Sequence, residues 1–125
     1  MTYQQYRASD LDARIAGATP LQLMLIVLDG LLDELMRARA HIEHARHEAR
    51  LRSVTKCLNL LNGLASHVDA ADGPDVTQSL AKVYDFCMRA VAQASVEGDV
   101  ERLDEATAVI RQLAQGWRSL EAHRG

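Results

Sequence analysis

The sequence predicts an all-α fold, an antiparallel up-down four-helix bundle with a short N-terminal helical segment packed across it. Aliphatic residues and alanine supply most of the 48% hydrophobic content, whereas aromatic residues are only 4%. Apolar residues recur at alternating steps of three and four along four separate stretches, which is typical of helices packed lengthwise on one another. No stretch shows the strict alternation of a half-buried strand.

The longest predicted helix begins at Pro20 and continues to about Ile42. The Thr19 hydroxyl can cap this helix, and proline is tolerated at the first helical position because its missing N–H would have no partner there. The apolar seam consists of Leu21, Met24, Leu28, Leu31, Leu35, Ala38 and Ile42. Four further positions lie outside the seam and need another cover, namely Leu23, Ile26, Val27 and Gly30.

Three more seams follow along the chain. A turn near residues 44–49 precedes the first, and residues 69–75, which contain Gly and Pro, form a break before the second. Gly98 is expected to end that helix in a left-handed conformation, with Asp99 capping the last helix. The three seams are Leu51, Val54, Leu58, Leu61, Ala65 and Val68; Val76, Leu80, Val83, Cys87, Ala90 and Ala94; and Leu103, Ala106, Ile110, Leu113, Trp117 and Leu120.

We expect a single domain over residues 1–125, with a mobile N-terminal segment at 1–17 and a bundle core at 18–122. Leu11 and Ile15 lie one helical turn apart in the N-terminal segment. Because so short a helix is not stable alone in water, we expect it either to dock on another part of the chain or to be disordered.

Second apolar stripes accompany the seams of two later helices. One comprises Cys57, Leu60 and Leu64, and the other comprises Tyr84, Met88 and Val91. Deeper burial in the core explains such stripes, and so does an open groove for an amphipathic segment of a partner.

We find no catalytic, cofactor-binding or metal-binding motif in the sequence. The net charge of -3 and the lack of a basic patch argue against a nucleic-acid partner. Cys57 and Cys87 lack metal-ligand spacing and are interpreted as buried reduced thiols. We interpret the histidines at 41, 44 and 47 as a solvated, polar helix end. We therefore expect no catalytic residue, no cofactor and no metal site, and the histidine context also disfavours a histidine phosphotransfer domain.

The targeting signals are equally sparse. The first ten residues form no apolar signal-peptide core, and the longest apolar run is far too short to insert into a membrane. The sequence therefore predicts a cytoplasmic protein.

Several separated blocks agree in order and spacing with a known family. They are Tyr6, Ala18-Thr19-Pro20-x-x-Leu23, Leu28-Asp29-Gly30, Val68-Asp69, Leu80-x-x-Val83-Tyr84-Asp85-Phe86, Gly98-Asp99-Val100 and Ala114-x-x-Trp117. On these blocks the chain resembles the flagellin export chaperone family, FliS, from Tyr6 to about Leu120. It departs from the family pattern at Leu28, where an aromatic residue is usual, and at Cys87, where tyrosine is common.

The resemblance implies a non-enzymatic chaperone that binds the C-terminal segment of flagellin, prevents early polymerisation and delivers flagellin to the flagellar export apparatus. It also implies that the N-terminal segment covers apolar surface near the groove, with Tyr6, Leu11 and Ile15 as the covering residues. The expected groove residues are Leu23, Ile26, Val27, Gly30, Leu60, Leu64, Tyr84 and Met88. The alternative is a self-associating helical adaptor that uses the same stripes as a homodimer interface.

Overall fold

The computed structural model describes residues 2–68 and 73–124, apart from the side chains of residues 4, 6, 74 and 124. This part of the chain contains no strand. Its helices are α1 (Tyr3–Ala16), α2 (Pro20–Glu43), α3 (His47–Ser66), α4 (Pro74–Glu97) and α5 (Val100–Arg124). Helix α2 packs on α3 and α5, and α4 packs on the same two helices, so α2 and α4 are diagonal. The predicted antiparallel four-helix bundle is confirmed.

The core follows the predicted seams most closely at the middle of each helix. In α2 the side chains of Leu28, Leu31, Leu35 and Ala38 are buried. Three predicted seam residues are exposed instead, at 55% for Leu51, 45% for Val76 and 44% for Leu120. Each of the three lies near an end of its helix, where fewer neighbouring side chains can cover it.

The two cysteines are free and buried in this core, as predicted. Burial raises the pKa of the Cys57 thiol to about 12, and the nearby Glu34 carboxylate adds to the shift. Burial likewise raises the pKa of the Cys87 thiol to about 11. Both side chains therefore behave as small, uncharged core residues at neutral pH.

The predicted helix caps are confirmed. The backbone N–H of Gln22 donates to the Thr19 hydroxyl over 3.1 Å, and the Gln22 side chain accepts from the Thr19 N–H over 3.0 Å. Gly98 ends α4 with a φ of 67°. The Asp99 carboxylate then accepts a hydrogen bond from the Arg102 N–H over 3.2 Å at the start of α5.

The turn between α2 and α3 occupies residues 44–46, inside the predicted range. Ala45 has a φ of 53°, which is unfavourable for a residue with a Cβ atom. The following N–H, from Arg46, donates to the His41 carbonyl over 2.9 Å. The turn therefore uses the left-handed conformation that glycine usually supplies, and its sequence contains no glycine to mark it.

Helix α1 exists as predicted, and in this structure its described side chains are not covered by the bundle. Every described side chain of α1 is exposed, including Leu11 at 41% and Ile15 at 43%. A capping box between Thr2 and Gln5 stabilises its first turn. Leu11 and Ile15 are the two aliphatic residues of α1 larger than alanine, and the bundle leaves both of them exposed in this structure. The side chain of Tyr6 lies outside the described residues.

Across residues 2–68 and 73–124, no helix combines the length and the apolar character that crossing a membrane requires.

Replacing Leu35 with alanine should destabilise the bundle by about 2–5 kcal/mol, because it leaves a cavity at a buried position of α2. Denaturant unfolding measures this loss. Met36→Ala is the matched control, since the adjacent Met36 side chain is 61% exposed and should contribute little. Similar losses for the two variants would contradict the assigned core face.

Ala45→Gly should stabilise the protein by about 0.5–1 kcal/mol, because relief of the left-handed strain outweighs the greater freedom of glycine in the unfolded chain. Gly98→Ala makes the opposite change and should destabilise it by about 1–2 kcal/mol. Thermal unfolding of both variants tests the pair. A destabilised Ala45→Gly protein would show that the turn is not left-handed.

Candidate partner-binding groove

An apolar groove lies between the N-terminal half of α2 and the C-terminal half of α3. Its volume is about 530 Å³. The lining residues are Pro20, Leu23, Met24, Val27, Leu60, Gly63, Leu64 and His67. We call this feature the α2–α3 groove.

Helical spacing explains why these side chains meet. Leu23 and Val27 are one turn apart on α2, and Leu60 and Leu64 are one turn apart on α3. The Leu64 side chain is 8% exposed, whereas that of Leu23 is 37% exposed. The groove therefore has buried and accessible apolar positions on facing helices.

His67 is the one titratable side chain among the described residues that line the groove. It follows the last residue of α3, and its Nδ1 lies 2.7 Å from the Gly63 carbonyl oxygen. A proton on Nδ1 makes this contact a hydrogen bond. The Ser66 hydroxyl donates to the same carbonyl over 2.8 Å. The polar groups at this end of the groove are thus largely engaged with one another.

Half of the predicted groove residues meet in the α2–α3 groove, namely Leu23, Val27, Leu60 and Leu64. Gly30 and Met88 do not line it, and Met88 packs instead against the core from α4. Tyr84 is only 1% exposed, so its side chain is a core residue and not a surface for a partner. Burial, with a contribution from Cys87, raises the pKa of the Tyr84 hydroxyl.

Four lining residues lie outside the predicted groove set, namely Pro20, Met24, Gly63 and His67. Pro20 begins α2 and Met24 belongs to its seam, and the side chains of both also reach the groove. Gly63 and His67 follow Leu60 at intervals of three and seven residues, the spacing of one helix face. This spacing from Leu60 is the sequence feature that indicates Gly63 and His67 as lining residues.

Ile26 lines a second cleft on the opposite side of α2. This cleft has a volume of about 380 Å³ and lies where α2 and α5 meet near the end of α1. Its charged lining residues are Arg14, Asp29, Arg118 and Glu121. Asp29 and Arg118 form an ion pair between α2 and α5. Its charged lining makes the second cleft a poor receptor for apolar anchors.

The histidines near the α2–α3 turn do not share one helix face. His41 lies in the last turn of α2, His44 caps that helix, and His47 begins α3. His44 and His47 are exposed, as the interpretation of a solvated polar end requires, whereas His41 is half-buried and its Nδ1 has no hydrogen-bond partner among the described residues.

The predicted covering residues do not line the groove in this structure. Leu11 and Ile15 are exposed on α1, and the Tyr6 side chain is outside the described residues.

Comparison with known proteins gives a consistent result over nearly the whole chain. Residues 2–124 match the sequence profile of the family described as "Flagellar protein FliS". The flagellar secretion chaperone FliS of Escherichia coli is 28% identical over 116 residues, which cover 92% of this chain and 85% of the relative. The corresponding protein of Salmonella typhimurium is 26% identical over 116 residues, covering 92% and 86% of the two chains.

A third relative, the flagellar secretion chaperone FliSB of Pseudomonas aeruginosa, is 24% identical over 114 residues, covering 91% of this chain and 90% of its own. The match to the profile spans both α1 and the complete four-helix bundle. The chain therefore belongs to the FliS family of flagellar proteins.

Proposed function

We propose that this protein is a non-enzymatic, cytoplasmic export chaperone that binds the disordered C-terminal segment of flagellin in the α2–α3 groove. Binding there prevents premature polymerisation and presents flagellin to the flagellar export apparatus. Membership of the FliS family supports the chaperone class. The groove between α2 and α3 is the single observation that carries the proposed binding mode.

The apolar lining of the groove suits the apolar face of a short amphipathic helix. Such a helix presents apolar anchors at intervals of three and four residues, which match the paired side chains on each wall. Each buried anchor contributes about 1.5–3 kcal/mol, less the cost of ordering a disordered tail. A few anchors are therefore enough for reversible binding, which a chaperone that hands over its client needs.

The chemistry of the lining also favours binding over catalysis. Six of the eight lining residues have apolar side chains, and Gly63 has none. A reaction would need several convergent polar groups. His67 supplies one, and its Nδ1 already contacts the chain's own backbone.

In the same proposal, α1 covers the groove when no client is bound. Only residues 17–19 separate α1 from Pro20, which lines the groove. Leu11 and Ile15 are the apolar residues that α1 can offer. They are exposed in this structure, so covering requires α1 to swing about this short link.

Binding of a flagellin C-terminal peptide tests the function directly. Isothermal titration calorimetry should show selective binding with a negative heat-capacity change, because apolar surface is buried. Circular dichroism should show a gain of helix. A peptide from the N-terminal segment of flagellin is the control. Absence of selective binding, together with a stable homodimer, would overturn the proposal in favour of the self-associating adaptor.

Leu23→Asp should weaken peptide binding by about tenfold or more, because the bound helix would bury an unpaired carboxylate. The variant should still fold, since Leu23 is 37% exposed. Met36→Asp is the matched control on the same helix, because Met36 is exposed and does not line the groove. Equal affinities for the two variants would exclude the α2–α3 groove as the binding site.

Deleting residues 1–16 should strengthen peptide binding or promote self-association, because it removes the competing cover. Titration with the same peptide measures the first effect, and analytical ultracentrifugation measures the second. If neither quantity changes, α1 is not the cover.

A further inference from the structure

Gly63 occupies a position where the fold itself does not require glycine. It lies in the interior of α3, and only Gly73 and Gly98 have positive φ values among the described glycines. Apart from the two adjacent residues and the local backbone of α3, a Cβ atom built at Gly63 would meet no described atom within 4 Å. Because glycine weakens a helix through its greater freedom in the unfolded chain, alanine would serve the isolated protein better.

The surroundings of Gly63 indicate what glycine provides. Gly63 lines the α2–α3 groove, and its neighbours Leu60 and Leu64 are lining residues as well. Its carbonyl oxygen is within hydrogen-bond distance of both the Ser66 hydroxyl and the His67 ring. The part of Gly63 that remains for a ligand is its Cα atom, which has no side chain to keep a partner at a distance.

We propose that Gly63 determines the specificity of the groove by allowing the backbone of the bound helix to approach the α3 backbone closely. The occupant is the helix formed by the C-terminal segment of flagellin, so this inference rests on the proposed function. A small residue of the client, such as glycine, alanine or serine, faces Gly63. Larger apolar residues of the client pack against Leu23 and Leu60 beside this close contact.

Backbone approach accounts for the observations better than a large side chain seated over Gly63. Glycine is the residue that permits another backbone to come close, and Cα–H groups at helix contacts can point toward carbonyl oxygens. Two helices in such contact must both have small residues at the crossing point. The groove then selects clients by the position of a small residue as well as by their apolar anchors.

The test compares Gly63→Ala with Gly116→Ala in the full chain. Gly116 is also a glycine inside a helix, and an added Cβ atom there meets no described atom within 4 Å apart from adjacent residues and the local helix backbone. It lies on α5, however, and does not line the groove. Both variants should raise Tm by about 2–5 °C, because alanine stabilises the helix. Only Gly63→Ala should weaken binding of the flagellin C-terminal peptide, by about five- to hundredfold, because its methyl group overpacks the contact.

The peptide supplies a second readout. Each small residue of the peptide is replaced by leucine in turn. At one position this replacement should weaken binding to the unmodified protein by about the same factor as Gly63→Ala weakens binding of the unmodified peptide. If Gly63→Ala binds as tightly as Gly116→Ala, or if no such peptide position exists, this inference is overturned and the proposed function stands. A lower Tm for Gly63→Ala would also overturn it, since the fold would then require the glycine. If the unmodified protein binds no peptide, the proposed function fails and this inference fails with it.

Discussion

Burial of the α2 seam against α3 and α5 is the interaction on which the rest of the structure depends. Leu28, Leu31 and Leu35 are almost completely inaccessible at the centre of the bundle. The apolar face of α2 is nevertheless wider than its two neighbours can cover, because Leu23 and Val27 lie beside the seam. Leu60 and Leu64 of α3 face these two side chains, and an open apolar groove remains between α2 and α3.

The two sides of α2 differ in a way that suits a binding protein. Toward α5, the Arg39 guanidinium pairs with Asp104 over 2.9 Å, and Arg118 pairs with Asp29. These partly exposed ion pairs contribute little stability, but they favour one register of α2 on α5. Toward α3, the N-terminal half of α2 presents apolar side chains. The polar side thus favours one register of α2 on α5, whereas the apolar side forms one wall of the α2–α3 groove.

Local spacing and capping rules predicted much of this architecture from the sequence. The start of α2 at Thr19-Pro20 and the junction at Gly98-Asp99 are predicted by the helix-capping preferences of those residues. The buried face of α2 is predicted by the spacing of its apolar residues. Whether an apolar residue lies in the core or lines the groove depends on how the neighbouring helices pack. Leu60 and Tyr84 therefore belong to similar apolar stripes in the sequence but lie in different environments in the structure. The left-handed conformation of Ala45 and the exposure of α1 are likewise not indicated by any local sequence pattern.

The most direct test of the central claim is NMR mapping of the isotopically labelled protein during titration with the flagellin C-terminal peptide. Our account predicts that the largest chemical-shift changes fall at residues 20–27 of α2 and 60–67 of α3, the two walls of the groove. Saturable changes confined to the α4–α5 face would contradict it, because the client would then bind away from the groove.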